Sequence, residues 1–265
     1  MHSNSTFTRG ADEPTADITR ITRTQWHAVA DDRIVGRGEA SRRPDGRIFL
    51  SIDSWHDTVF DHLAAAMLPE LPAPLYTLVD ETDTDLRSAW ERTGFTTHRR
   101  EWEYLASTDA RHTGLDSPPI PADVTILPVG TAQEEPLLKA YTMIRAEIDA
   151  TGGRGLMPVE IIACQGGPAP IDPGRYAVAT RSGEYAGILR AATRRRHARI
   201  ELVAVRAGHR RRGIARALLA SALGTLHGSG IDTVSAYVHD ADTAAAALFD
   251  GIGRRAGSNL ELVLL

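Results

Sequence analysis

The sequence predicts an α+β fold in two related halves, and three observations lead to this prediction. First, an apolar strand passes through a glycine turn directly into a helix between Arg199 and Leu219. Second, strand and helix patterns follow a similar order on either side of a loop-like stretch, residues 106–122. Third, a spaced set of an aspartate, a large aromatic residue and a glycine recurs 159 residues further along the chain.

The composition limits the class of protein. The chain has 265 residues, of which 42% are apolar and 24% charged, as in ordinary globular proteins. Its net charge of −4 argues against a general nucleic-acid binder. No apolar run approaches the roughly 20 residues that span a membrane. The only cysteine is Cys164, which excludes an intrachain disulfide and a metal site built from several thiolates.

The N-terminal half begins with a polar segment, residues 1–16, that lacks the apolar core of a signal peptide. We therefore expect a mobile tail on a cytoplasmic protein that does not associate with membranes. After it, apolar alternation and turn residues predict a domain over residues 17–106. Its elements are strands 25–30, 34–40 and 48–52, helix 58–67, strand 75–79, helix 83–92 and strand 101–105, with tight turns at 31–32 and 44–46.

The C-terminal half follows a Ser-, Thr- and Pro-containing stretch, residues 107–122, that is typical of a linker. It is predicted as a domain over residues 123–265, with Asp242 well placed to cap its last helix. Its elements are strand 124–129, helices 132–150 and 157–164, strands 176–180, 185–192 and 200–205, helix 215–228, strand 233–238, helix 242–249 and strand 260–265, with a hairpin turn at 182–183.

The recurring residues suggest that the two halves arose by duplication. The same offset of 159 residues relates three pairs of residues, which are named below. Asp80 and His239 have this offset too, and each comes just after a predicted strand. The alternative is coincidence between two common strand–helix units. The pairs are Asp83 and Asp242, Trp90 and Phe249, and Gly94 and Gly253.

The strand–glycine–helix junction in the second half predicts an anion-binding cradle. A helix N-terminus has free backbone N–H groups and roughly +0.5 of an elementary charge. Arg210, Arg211 and Arg212 come just before Gly213 and add mobile positive charge. The alternative is a solvated basic turn.

These residues resemble the GNAT superfamily of acyl-CoA-dependent N-acetyltransferases. Residues 210–215, Arg-Arg-Arg-Gly-Ile-Ala, match the Gln/Arg-x-x-Gly-x-Gly/Ala loop of that family. Residues 242–253 correspond to its second motif, with Asp, Ala, Leu, Phe and Gly-Arg where the family usually has Asn, Ala, Leu, Tyr and Gly-Phe. The N-terminal half keeps the second motif and has lost the first, so it looks like a degenerate repeat. This tandem organisation is similar to that of mycothiol synthase.

The resemblance implies a fold and a co-substrate. Each domain would be a mixed, mostly antiparallel sheet flanked by helices, and acetyl-CoA would be the acyl donor, with no metal. Residues 210–216 would hold its pyrophosphate, and strand residues 203–205 would pair with pantetheine. The implied binding residues are Val203, Ala204, Val205, Arg210, Arg211, Arg212, Gly213, Ile214, Ala215, Arg216, Asp242 and Phe249.

The implied reaction needs a base, because an ammonium group has no lone pair. Strand alternation places Glu201 on the face of Val203 and Val205, where desolvation would raise its pKa towards neutrality. The alternative for Glu201 is a surface position or an ion pair with a nearby arginine. His239, with Asp240 beside it, is the second candidate, although a histidine at a strand end is also often structural.

The expected function is transfer of an acetyl group from acetyl-CoA to a primary amine of a small molecule or peptide, by direct attack in a ternary complex. The alternative is a non-catalytic acyl-CoA sensor, which Phe249 favours because phenylalanine cannot protonate the departing thiolate. A nucleic-acid or protein-binding module using the arginine clusters is a further alternative, and the protein is expected to be a monomer or homodimer.

The acceptor cleft is expected beside the first helices and the last loop. Glu147, Asp149 and Arg154 lie in the former and residues 257–259 in the latter. Acidic groups there would suit a cationic amine; the alternative, which we prefer, is that they are plain helix-surface charges. Residues 152–155, Gly-Gly-Arg-Gly, would suit a mobile flap over the acceptor.

Overall fold

The computed structural model describes residues 16–43, 46–115, 120–150 and 171–265. They form two compact units, one of residues up to Glu101 together with Gly257–Leu265 and one of Trp102–Ala256. The end of the chain therefore belongs to the first unit. Because of this, the compact units divide the chain differently from the predicted segments 17–106 and 123–265.

The first unit has a mixed sheet in the order β1-β2-β3-β4-β5-β12. Only β4 and β5 are parallel neighbours among the register pairs of this sheet, and the other recorded pairs are antiparallel. The elements that contribute to this unit are β1 Asp17–Thr22, β2 Gln25–Ala30, β3 Arg33–Arg42, β4 Ile48–Ser54, α1 Asp57–Met67, β5 Leu75–Asp80, α2 Thr84–Arg92, the start of β6 Thr96–Ser107 and most of β12 Arg254–Leu264.

An aromatic cluster fills the core of the first unit. The ring of Trp90 on α2 packs edge-on against Phe60 of α1 at 5.0 Å and against Phe95 at 4.9 Å. All three side chains are almost completely buried. Helices α1 and α2 thus use their apolar stripes to cover one face of the sheet.

The second unit has a sheet in the order β6-β11-β10-β9-β8-β7. Strands β10 and β11 are parallel, whereas β7, β8, β9 and β10 pair antiparallel in sequence order. Its further elements are α3 Ala110–Thr113, β7 Val124–Leu127, α4 Glu134–Ala150, β8 Tyr176–Arg181, β9 Glu184–Arg194, β10 His197–Val205, α5 Ile214–Gly228, β11 Thr233–His239 and α6 Thr243–Asp250.

Two apolar clusters lie on opposite faces of this second sheet. Ile214, Leu218 and Leu223 of α5 pack in one cluster with Ile200 of β10. Residues of α4 pack in the other cluster with Leu202. The predicted α+β class, with mixed sheets flanked by helices, is confirmed. None of the described helices is long and apolar enough to cross a membrane.

The differences from the predicted elements have simple causes. Strand β1 was missed because it is an exposed edge strand without an apolar pattern. The predicted last loop, residues 257–259, lies inside β12, where Asn259 pairs with Asp80. The predicted helix 157–164, the flap 152–155 and most of the turn 44–46 fall outside the described residues.

The residues related by the 159-residue offset can now be compared. Asp83 accepts a hydrogen bond from the N–H of Leu86 at 3.0 Å, and Asp242 accepts one from Ala245 at 2.9 Å, so both are helix N-caps. Both caps have φ −84°, with ψ of 77° and 78°. The duplication itself stays a prediction, since matching caps also occur in unrelated helices.

The two glycines of this pattern are used for different reasons. Gly94 has φ +95°, a conformation that other residues rarely adopt. Gly253 instead lies against a neighbouring strand, where an added Cβ would be 2.5 Å from the carbonyl oxygen of Leu105.

Candidate functional site

A cleft of about 650 Å³ lies in the second unit, where β10 and β11 part. The parallel pairing of these strands runs from Ala198 with Val234 to Ile200 with Ala236. Further along, the described strands have no register pairs, and the space between them opens. The volume is in the range that small-molecule sites occupy.

The cleft brings together nearly all of the residues predicted for the site. Of that set only Arg212 does not line it. The lining residues from the prediction are Glu201, Val203, Ala204, Val205, Arg210, Arg211, Gly213, Ile214, Ala215, Arg216, His239, Asp242 and Phe249. Their roles stay predictions, but their proximity is now a feature of the fold.

A second depression, of about 770 Å³, is lined by residues of β6, α3 and the end of α6. Its lining includes none of the predicted site residues, and it lacks the apolar walls of the cleft. We therefore take the cleft between β10 and β11 as the candidate site.

A β-bulge at Glu201 opens the cleft. Ile200 pairs with Ala191 and Leu202 with Arg190, so Glu201 is an extra residue without a partner in β9. A bulge bends its strand and increases the local twist, which separates β10 from its parallel neighbour at this point.

Because of the bulge, the predicted orientation of Glu201 is wrong. Ile200 and Val203 pack in the same cluster, with α5, although regular alternation would put them on opposite faces. Glu201 contacts Arg190, which is directly opposite Leu202, and Leu202 packs on the α4 side. Glu201 therefore does not share the face of Val203, because the extra residue shifts the alternation by one.

The surroundings of Glu201 are ionic and not apolar as expected. Arg175 donates to its Oε2 at 3.1 Å, and the Nε of Arg190 lies 3.0 Å from the same oxygen. The Glu201 side chain is only 9% exposed. Both guanidinium groups contact one carboxylate oxygen, so the alternative of an ion pair is the one observed.

The loop before α5 has the backbone of an anion cradle. Arg211 has φ +61° and Gly213, the N-cap of α5, has φ +81°. No side chain caps this helix, so its first N–H groups have no partner within the helix. Residues 213–216 line the cleft, which places the positive end of the helix dipole there.

The arginines of this loop play different parts. Arg210 donates from Nε to the carbonyl of Val205 at 3.1 Å, which fixes the loop to the end of β10. Arg216 points elsewhere, with Nη2 3.3 Å from the carbonyl oxygen of Gly114. Arg212 is exposed and lies near Asp123. The pKa of Asp123 is lowered, mainly by the hydrogen bond from Arg181 and only slightly by Arg212.

The strand segment predicted to pair with pantetheine has one edge towards the cleft. Val203, Ala204 and Val205 pair with Leu189, Ile188 and Gly187 of β9. Because β11 has parted from β10 here, the opposite edge of this segment faces the cleft and could accept an extended ligand.

Asp242 and Phe249 of α6 have structural contacts. The Asp242 carboxylate is used as the helix cap. Phe249 is 6% exposed and packs on the ring of Tyr104 at 5.7 Å. Burial raises the pKa of Tyr104, whose hydroxyl accepts from Arg255 at 2.8 Å and donates to Asp250 at 3.0 Å.

The Nδ1 atom of His239 is in contact with two neighbouring groups, and its role as a base stays a prediction. Its Nδ1 accepts a hydrogen bond from the N–H of Ala241 at 3.0 Å. Nδ1 is also 3.0 Å from a carboxylate oxygen of Asp240.

Tyr237 is a cleft residue that the sequence analysis missed. It is the first residue of β11 after the last pair with β10, and its hydroxyl donates to Glu103 at 3.1 Å. The guanidinium of Arg199 lies 4.5 Å from the centre of its ring. The sequence does not reveal this position because it depends on the register between β10 and β11, which places Tyr237 across the opening from Glu201.

A group of arginines and tyrosines beside Glu201 was also missed. Burial raises the pKa of Tyr141. Two nearby guanidinium groups oppose that rise: that of Arg145, which also hydrogen-bonds the Tyr141 hydroxyl, and that of Arg190. Burial likewise raises the pKa of Tyr176, opposed by Arg190 and Arg175. We call these five residues with Glu201 the arginine cluster.

Glu147, expected to attract a cationic acceptor, is used differently. Glu147 accepts from the N–H of Ala207 at 2.6 Å and lies 3.7 Å from the Nε of Arg206. Glu147 therefore fixes α4 to the end of β10. Within the described ranges, no group of three or more His, Cys, Asp and Glu residues is arranged to hold a metal.

Comparison with known proteins confirms the resemblance to the GNAT superfamily. Residues 157–253 match the model of the acetyltransferase (GNAT) family. This segment contains both predicted motifs and most of the cleft. No curated protein matches the chain in sequence.

Solved structures of similar fold include tandem GNAT proteins. A GCN5-related N-acetyltransferase from Sphaerobacter thermophilus superposes with a TM-score of 0.64 at 16% identity, covering 93% of this chain and 82% of that one. A tandem GNAT protein from the clavulanic acid biosynthesis pathway gives 0.63 at 14%, covering 91% and 82%. A GCN5-related N-acetyltransferase from Kribbella flavida gives 0.57 at 14%, covering 94% and 89%. At these identities the likeness establishes the fold alone.

Proposed function

We propose that the chain is an N-acetyltransferase that moves an acetyl group from acetyl-CoA to a primary amine of a small molecule. The observation that carries this proposal is the parting of β10 and β11 after Ile200 and Ala236, beside the uncapped N-terminus of α5. Together they give a slot for an extended ligand and a cradle for its phosphates in one cleft.

The residues present fit acetyl-CoA as co-substrate. The N–H groups after Gly213 suit a diphosphate, because fixed backbone donors and the helix dipole both favour anions. The cleft edge of residues 203–205 suits the amides of pantetheine. The volume of about 650 Å³ is sufficient for the inner part of such a ligand.

The reaction would join the amine nitrogen to the acetyl carbon and break the carbon–sulfur bond of the thioester. The amine loses a proton, and the CoA thiolate gains one. A backbone N–H near Val203 would polarise the thioester carbonyl, in the manner of an oxyanion hole. Bringing amine and thioester together can itself contribute about 7–11 kcal/mol.

The proton transfers are assigned differently from the sequence expectation. The Oε2 of Glu201 is occupied by Arg175 and Arg190, and the Nδ1 of His239 is in contact with the N–H of Ala241 and a carboxylate oxygen of Asp240. We propose that the acceptor binds as the free amine and releases its proton to water. Phe249 cannot supply a proton, and the Tyr237 hydroxyl already donates its proton to Glu103, so the thiolate would take its proton from water.

The test of the cradle is a double variant, Arg210→Glu with Gly213→Glu. We expect it to abolish acetyl-CoA binding in calorimetry. The matched control is Arg194→Glu with Gly183→Glu, since Gly183 also has φ +81° but lies in a hairpin away from the cleft. Wild-type affinity in the first variant, or equal loss in both, would contradict the proposal.

The alternative function, a non-catalytic acyl-CoA sensor, is favoured by the buried phenylalanine at position 249. Release of free thiol from acetyl-CoA in the presence of a panel of amines separates the two. Binding of acetyl-CoA without thiol release from any amine would favour the sensor.

A further inference from the structure

We propose that the acceptor is a primary amine carried on an apolar body, such as an alkyl or arylalkyl chain, and that this body binds against α4. The inference rests on the proposed function and specifies its substrate class. Such an acceptor differs from the cationic amine that acidic groups in this region would suit.

The first step is the direction from which the acceptor arrives. A thioester that pairs with residues 203–205 as a strand would, with its carbonyl held by a backbone N–H near Val203, lies roughly in the plane of the sheet. A nucleophile attacks a carbonyl carbon from above or below the carbonyl plane. The amine therefore approaches from one face of the sheet and not along it.

The second step is the choice between the two faces. Val203 and Val205 pack in the cluster on the α5 side, together with Ile214 and Leu218 of that helix. The N-terminus of α5, which would hold the diphosphate, lies on this side too. Since α5 and the co-substrate take up this side, the acceptor is expected on the side of α4.

The third step is the chemistry of the α4 side. Leu202 and Ala204 of β10 and Ile144 and Ile148 of α4 all line the cleft, and all four pack in one apolar cluster. The two isoleucines are four residues apart, which places them on the same side of the helix. We call them the isoleucine wall. A ligand chain that covers this wall gains about fourfold in affinity for each methylene it buries.

The fourth step is the charge near the isoleucine wall. Of the described α4 and β10 residues that line the cleft, Glu201 alone is charged. Its Oε2 contacts Arg175 and Arg190, so this carboxylate is paired. Glu147 of α4 accepts from the N–H of Ala207 and is not among the cleft residues. Apolar surroundings disfavour an ammonium group through desolvation, which agrees with binding of the acceptor as the free amine.

The first test varies the acceptor and keeps acetyl-CoA as the donor, with thiol release as the assay. The probes are the straight-chain primary amines from methylamine to hexylamine, which have nearly the same basicity. We expect kcat/KM to rise about fourfold for each added methylene until the pocket is filled. A flat series, or one that falls from methylamine onwards, would overturn the inference.

A matched set separates apolar character from length. It consists of pentylamine, the amino alcohol in which a hydroxyl replaces its terminal methyl group, and the diamine in which an ammonium group replaces it. A hydroxyl or ammonium group buried without a partner is unfavourable, so both polar analogues should fall about tenfold or more below pentylamine in kcat/KM. Equal or better use of the diamine would support a cationic acceptor and contradict the inference.

An apolar acyl chain on CoA is the other source of the same chemistry. We assign the isoleucine wall to the acceptor, because an acyl chain leaves the carbonyl within its plane, whereas the amine approaches from the α4 side. With methylamine as acceptor, replacing acetyl-CoA by butyryl-CoA or hexanoyl-CoA should therefore not raise kcat/KM. A rise with acyl length, without any dependence on amine length, would assign the wall to the donor and refute the inference.

Variants of α4 test the isoleucine wall directly. Ile148→Asn should lower kcat/KM for pentylamine about tenfold more than for methylamine, which has no chain to contact the wall. Ile148→Val should keep most of the preference for pentylamine. Leu138→Asn is the control, because Leu138 is 36% exposed on the same helix and does not line the cleft. The inference fails if Ile148→Asn leaves the ratio of the two amines unchanged, or if Leu138→Asn changes it as much.

Equilibrium binding keeps the inference testable without turnover. With CoA present, N-pentylacetamide should bind in calorimetry about tenfold more tightly than its analogue with a terminal hydroxyl, and Ile148→Asn should remove the difference. Equal binding of the two amides would overturn the inference while leaving the proposed function intact. Acetyl-CoA binding without thiol release from any amine would count against the proposed function, and the affinities of the two amides would still decide the inference.

Discussion

The contact between β9 and α5 offers a sharp test of how the fold positions the cradle. Gly187 of β9 lies under the first turns of α5. A Cβ at this position would be 3.2 Å from Cγ2 of Ile214, 3.3 Å from Cδ1 of Leu218 and 3.2 Å from the carbonyl oxygen of Ala204. These distances are tighter than normal carbon contacts, and both side chains are fully buried.

We therefore expect Gly187→Ala to displace the start of α5 by a few tenths of an ångström. Overpacking a close-packed core costs about 1–3 kcal/mol. Since Ile214 belongs to the first turn of α5, the same displacement moves the N–H groups that line the cleft. Acetyl-CoA affinity should fall together with stability.

The matched control is Gly224→Ala in the same helix. An added Cβ at Gly224 meets no atom within 4 Å. Alanine is favoured over glycine within a helix by about 0.8–1 kcal/mol, so this variant should be slightly more stable and bind acetyl-CoA normally.

Urea unfolding followed by circular dichroism gives the free energy of unfolding, and calorimetry gives the affinity. The reasoning is refuted if Gly187→Ala matches the wild type in both measurements. It is also refuted if Gly224→Ala loses as much affinity, because the effect would then not depend on the contact with β9.

Three further predictions concern individual residues. Glu201→Gln should leave kcat nearly unchanged at neutral pH, because the carboxylate is paired with Arg175 and Arg190; a fall in kcat that recovers at higher pH would instead make Glu201 the base. Gly253→Ala should destabilise the protein by about 1–3 kcal/mol in urea unfolding, through the clash with the Leu105 carbonyl. The pKa of Glu81 is lowered, mainly by the hydrogen bond from Ser258. The ionised Glu81 carboxylate therefore stabilises the fold at neutral pH, and this contribution is lost as the pH falls below about 4. Glu81→Gln should accordingly flatten the loss of stability in acid, and an unchanged acid profile would contradict this.

Most of the architecture was predictable because the strands and helices have clear apolar periodicity. Helix α5, for example, shows its apolar positions and glycine start directly in the sequence. The cradle was predictable for the same reason, since its residues are contiguous and its chemistry depends on the local turn at Gly213.

The orientation of Glu201 was not predictable from alternation. A bulge adds one residue to a strand without changing its apolar pattern, so nothing in residues 197–205 marks its position. The error in the face of Glu201 and in its expected surroundings follows from that single register shift.

The arginine cluster was not predictable because its members come from separate segments. Arg145 lies on α4, Arg175 just before β8 and Arg190 on β9. Each appears in the sequence as an ordinary surface charge. Tertiary packing brings Arg175 and Arg190 to Glu201 and Arg145 to Tyr141.

The place of β12 in the first unit has a consequence for synthesis of the chain. The ribosome makes the N-terminus first, yet β5 needs residues 259–264 as its antiparallel neighbour. Nascent β5 therefore has an open edge until residues 259–264 have been made, which exposes it to pairing with other chains. A variant lacking residues 257–265 should accordingly be insoluble in cells, whereas supplying a peptide of these residues in trans should rescue solubility.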